Sequence, residues 1–124
     1  MFEFHKIHEE LCGYKKTKVS IQTNPMIYHI TTPDRWQSAL TKGIFETASL
    51  QIEGFIHCCS KEQIQSVIER YYSHLQHLVI LEINESKITS PMQLELSPMV
   101  NQMFPHIYGP INLDAVENIH SLRN

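Results

Sequence analysis

The sequence predicts a single α+β domain, and three observations carry that expectation. Of the 124 residues, 42% are hydrophobic and 19% charged, the balance of a chain that buries a core. The length lies within the range of one ordinary domain. Apolar runs of strand length outnumber the helical ones, and most follow the second helix instead of alternating with helices, which argues against a regular βαβ repeat.

Along the chain, residues 1–25 read as an N-terminal extension and residues 26–124 as the domain. In the extension Phe4, Ile7, Leu11 and Tyr14 recur at helical spacing without a convincing cap, the pattern of a short amphipathic helix or of a mobile segment. Met26 to Ile30 reads as a strand. Thr32 and Pro33 then supply an N-cap and a proline at the first helical position. The helix is expected to run to Lys42, with Trp36, Ala39 and Leu40 as its buried stripe and Gly43 as the residue that ends it.

A second short strand is expected at Phe55 to Cys58. Ser60 and Gln63 match a capping box, opening a helix whose stripe is Ile64, Val67, Ile68, Tyr71 and Leu75. Leu78 to Ile83 is nearly continuous apolar sequence, as in a central strand covered on both faces. Met92 to Leu96 and Phe104 to Tyr108 read as strands, and Leu113 to Ile119 as a last strand or short helix.

The formal net charge is −3 and the Lys and Arg residues are scattered. There is no basic stripe to neutralise phosphates, so a nucleic-acid partner is disfavoured. No apolar run approaches the ~20 residues of a membrane helix, and no leader pattern is present. Cys12, Cys58 and Cys59 leave an odd thiol and a vicinal pair, a poor disulfide framework, so three free thiols and a reducing, cytoplasmic setting are expected.

Eight histidines in a chain of this size is a high count. His29, His57 and His106 stand on strands beside bulky apolar neighbours. If Tyr28, Ile30, Ile56 and Ile107 enter the core, alternation turns each imidazole the other way, and the three are expected to line one polar cleft. Truncating His29 is then expected to remove a ligand contact and spare the fold. A metal site is a competing reading, because His57 adjoins two thiols, but no zinc-type spacing supports it and no metal ligand is assigned. Thr31 and Ser60 flank helix starts, where hydroxyls cap free amides and an exposed helix start also receives phosphate.

The strings Tyr28-His29-Ile30-Thr31, Glu53-Gly54-Phe55-Ile56-His57-Cys58 and Phe104-Pro105-His106-Ile107-Tyr108-Gly109-Pro110 resemble the bacterial domain-of-unknown-function family 952, whose signature strings are close to EGFIHCS and FPHIYGPL. The likeness covers about residues 26–118. Cys59 is an extra cysteine in the central string.

The resemblance implies a small ADP-ribosyltransferase-like split sheet with two helices packed against it, binding NAD or an ADP-ribose-type nucleotide. It implies that His29 contacts a ribose with Thr31 beside it, that His57 and Ser60 meet phosphate, and that Tyr108 packs near the nicotinamide end. Glu95 or His106 would be the acid–base or electrostatic group, with His57 also in the catalytic set. The function so implied is a nucleotide-binding domain with transferase or glycohydrolase activity, its acceptor open. A non-catalytic ligand-sensing or interaction domain is the alternative.

Overall fold

The computed structural model describes residues 25–124. The predicted extension, its helical spacing and Cys12 fall outside the described residues.

The chain is α+β with a split sheet. The first three-stranded sheet has β1 (Met26–Thr31) and β8 (Val116–Arg123) on either side of β4 (His77–Asn84), all antiparallel. The continuous apolar run of β4 explains its central place: Leu78, Val79, Ile80, Leu81 and Ile83 are all buried. The second sheet has the order β3 (Ile56–His57), β6 (Gln102–Ile107), β5 (Met92–Ser97), also antiparallel. An isolated bridge between Tyr28 and Cys59 joins the two sheets, with two backbone bonds of 2.8 Å. A small third pairing joins β2 (Ile44–Phe45) to β7 (Ile111–Asn112).

Helix α1 (Pro33–Lys42) opens and closes as expected, with Thr32 Oγ1 accepting from the Arg35 amide and the Gly43 amide donating to Ala39. Its stripe is narrower than expected. Ala39 is buried and Trp36 half-buried, but Leu40 is exposed, because α1 covers the edge of the core along one line and Leu40 falls beyond it. A short helix α2 (Ala48–Ile52) follows.

One 3-10 turn, Lys61–Gln63, starts the next helix, and the Ser60 amide donates to Gln63 Oε1 at 2.9 Å to form the reciprocal arm of the capping box. Helix α3 (Ile64–Tyr71) buries Ile64 and Ile68, with Val67 packed beside them. Tyr71 is half exposed because the helix ends there, whereas Leu75, past the helix, folds back onto the core.

Two apolar clusters result. One gathers Ile27, Phe45, Ile56, Cys58, Leu81 and Ile107, and the other Tyr28, Ile30, Cys59, Ile64, Ile68 and Ile80. Strand β1 contributes to both, so both of its faces are covered.

After β6 the chain turns at Gly109 (φ 157°), where a Cβ would lie 2.9 Å from Ser90 Cβ and 2.5 Å from its Oγ. Ser90 cannot withdraw freely, since its hydroxyl donates to the Pro110 carbonyl at 2.7 Å. Gly109→Ala is therefore expected to destabilise by about 1–3 kcal/mol, the usual cost of overpacking. Equilibrium urea unfolding measures it, and a change within about 0.5 kcal/mol, the range of a neutral surface substitution, would refute the close-approach argument.

Candidate functional site

Register brings the second sheet's polar residues together. His57 on β3 pairs directly with His106 on β6, so both imidazoles leave the sheet on one side, centroids 5.4 Å apart. Their strand neighbours Ile56, Cys58 and Ile107 enter the first cluster on the other side, as alternation predicts.

Each imidazole has its own carboxylate. His57 Nε2 meets Glu53 Oε1 at 2.5 Å, both side chains about half exposed. His106 Nδ1 meets Glu95 Oε1 at 2.6 Å, and the Tyr108 hydroxyl donates to the same oxygen at 2.5 Å. These two contacts hold the Glu95 carboxyl below its usual range, Tyr108 first and His106 second, while Glu95 pushes the Tyr108 phenol up. Glu95 is thus an ionised acceptor, which fixes the proton of His106 on Nδ1 and leaves Nε2 for another partner.

Phe55 stands at the centre. Its ring stacks on His106 at 4.0 Å and 18°, and tilts against His57 at 4.8 Å and Tyr108 at 5.4 Å. Glu53 and Phe55 carried no site assignment in the sequence reading. Their signal was the string Glu53-Gly54-Phe55-Ile56-His57, in which Gly54 takes φ 90° and turns the chain so that Glu53 reaches His57 four residues on.

The ring of His29 does not join those of His57 and His106, which corrects the expected cleft of three imidazoles. The physical reason is the covering of β1 on both faces: pointing away from Tyr28 and Ile30 does not mean pointing to solvent. His29 is buried at the junction of the sheets, edge-on to Phe45 at 5.2 Å, with Nδ1 donating to the His57 carbonyl at 2.6 Å. It touches the pair through that backbone atom alone. Desolvation lowers its pKa to about 4, against the raising effect of the His57 carbonyl, and the charges of His57 and Arg35 push the same way as burial. His29 is neutral, its proton is on Nδ1, and Nε2 has no hydrogen-bond partner among the described residues. Truncating it would open a buried space, so the expectation that the fold is spared is also corrected.

Thr31 lies two residues on, on the same face of β1, paired with Val79 and buried; its Oγ1 has no hydrogen-bond partner among the described residues. Ser60 is engaged in the capping box and does not reach the imidazoles. Cys58 and Cys59 are free and buried in different clusters; burial pushes the Cys59 thiol to about 12 and raises the Cys58 thiol well above its usual value, which makes both inert. Among the described residues no group of three His, Cys, Asp or Glu side chains is arranged to hold a metal ion. No helix among them is long and apolar enough to cross a membrane.

A family model described as "Protein of unknown function (DUF952)" matches residues 30–119. Among solved structures, the crystal structure of protein CC0527 from Caulobacter crescentus is 28% identical, covers 78% of this chain and 85% of its own, and has a TM-score of 0.72. A double mutant of that protein gives 0.71 at the same identity, and its solution structure 0.68 over 79% of this chain and 84% of its own. No curated protein matches the chain.

Proposed function

The chain belongs to the DUF952 family, and from that premise we propose an ADP-ribosyltransferase-like domain that binds NAD or an ADP-ribose-type nucleotide and cleaves or transfers at the nicotinamide-bearing ribose. The observation that carries the reading is Glu95, an ionised carboxylate held at 2.5–2.6 Å by Tyr108 and His106 beside the aromatic face of Phe55. A fixed negative charge next to a stacking platform suits a planar nicotinamide and the positive charge that develops on the sugar carbon as its bond to nitrogen breaks.

The remaining residues fit complementary roles. His57 donates its Nε2–H to the Glu53 carboxylate in a hydrogen bond, which leaves Nδ1 to serve as the base for the attacking hydroxyl or water. The oxygen of that nucleophile bonds the sugar carbon, its proton passes to His57, and nicotinamide departs with the electron pair of the broken bond. His29 Nε2 is a lone pair awaiting a donor such as a ribose hydroxyl, and the orphaned Thr31 Oγ1 supports a polar group at the same strand. His106 acts through Glu95, as a positioning residue.

Calorimetric titration with NAD and ADP-ribose, together with an assay for released nicotinamide, tests the reading. Glu95→Gln is expected to lower nicotinamide release by about 10²–10³-fold, the scale of one removed electrostatic group, with ligand affinity little changed. No heat of binding at millimolar ligand would remove the nucleotide reading. A second reading is favoured by one observation: two concavities, about 340 and 280 Å³, are lined by residues other than the imidazole–carboxylate pairs. Binding without turnover in the wild type would assign the domain to ligand sensing instead.

A further inference from the structure

The larger concavity lies between α1 and the segment from β2 to α2. It holds about 340 Å³, within the range of about 300–1,000 Å³ usual for small-molecule sites. Its polar lining is rich in donors: Arg35, Ser38, Lys42, Thr47 and Gln51, against the single acid Glu46. Glu46 is engaged weakly with Lys42 at 3.7 Å, both side chains being well exposed. Arg35 makes no ion pair among the described residues. An unpaired planar guanidinium, a neighbouring ammonium and two hydroxyl side chains at one concavity match the donor needs of a phosphoryl group.

The concavity is also connected to the imidazole site. Thr47 Oγ1 and Ser49 Oγ are 2.7 Å apart, and Ser49 Oγ donates to the Phe55 carbonyl at 2.8 Å, so one polar chain runs from the groove to the backbone of Phe55. The five residues of α2 span about 7.5 Å at 1.5 Å per residue. The groove runs along this short helix, with Thr47, Ala48 and Gln51 in its lining and Glu53 just past its end, a separation that an extended nucleotide bridges.

We propose that the groove lined by Arg35, Lys42, Ser38 and Thr47 is an anion subsite that takes the diphosphate of the nucleotide. This rests on the nucleotide reading above, and it moves the phosphate away from Ser60 and His57.

The test uses the full chain, with inorganic pyrophosphate and ADP-ribose as separate probes, followed by amide NMR shifts and calorimetry. Pyrophosphate is expected to move the amides of Ser38, Lys42 and Thr47. The Arg35→Gln, Lys42→Gln double variant should lose at least about tenfold in affinity, or about 1.4 kcal/mol, with Arg35→Gln alone as the milder variant and melting temperature as the folding control. Absence of these shifts at about 10 mM pyrophosphate, enough to reveal a Kd near 1 mM, would overturn the subsite. So would equal binding of ADP-ribose by wild type and double variant, an outcome that leaves the nucleotide reading standing. Conversely, pyrophosphate seated in the groove with ADP-ribose bound no tighter would keep the anion site and defeat the nucleotide.

Discussion

Phe45→Ala is expected to destabilise the domain by about 3–5 kcal/mol, the range for deleting a buried aromatic side chain. Phe45 is fully buried, yet its strand is only two residues long and is held by a two-residue partner, so the ring rather than the ladder fixes β2 in place. The ring meets His29 edge-on at 5.2 Å and Trp36 at 6.3 Å. Its removal leaves a hole bordered by an imidazole that cannot collapse into it without leaving the His57 carbonyl. Against a total stability of about 5–15 kcal/mol for an ordinary domain, the loss is a large fraction. Urea unfolding should show a lowered midpoint at an unchanged slope. A loss below about 1 kcal/mol would mean that β2 is not held by this contact.

Acidification should expose the second large effect, through His29. Its folded pKa of about 4 lies below the unfolded value near 6.5, so the unfolded chain binds the proton first and protons favour unfolding. The stability linked to this group is present above pH 6.5 and is lost as pH falls from there to about 4. At about 1.36 kcal/mol per unit, the span is worth about 3 kcal/mol. His29→Gln keeps a donor for the His57 carbonyl but cannot titrate, so its stability should fall less over the same interval. Parallel curves for the two proteins between pH 7 and 4 would contradict the burial argument.

The long elements were legible in the sequence because their periodicity is strong. Strand β4 and the caps of α1 and α3 stand where Leu78 to Ile83, Thr32, Gly43 and Ser60 announce them. Elements β2, β7 and α2 were not legible, since they carry too few residues for any period to show; β3, equally short, was legible through the apolar run Phe55 to Cys58. Strand β8 was expected to end near Ile119 but runs to Arg123 after a 3-10 turn. It lies at a sheet edge with Glu117, Asn118 and even Ile119 exposed, so its apolar alternation is faint.

The site divides the same way. His57, His106, Glu95 and Tyr108 meet because alternation and strand pairing are local rules. Glu53 and Phe55 belong to a turn, where side-chain direction follows from the left-handed Gly54 and no periodicity records it. The burial of His29 could not be inferred from its own strand, because it depends on Phe45 and His57, both distant in sequence.

The lone Tyr28–Cys59 bridge also sets how the molecule breathes. Separating the two three-stranded sheets costs two backbone bonds and the His29 contact, and it also parts the apolar cluster that Ile27 and Leu81 share with Ile56 and Ile107. The bridge has two hydrogen bonds where β4 has a ladder on each side, so its backbone contacts should open first. The amide protons of Tyr28 and Cys59 should then exchange with deuterium at matching rates and well before those of β4. The adjacent cysteines 58 and 59, one in each cluster, mark where the two cores meet.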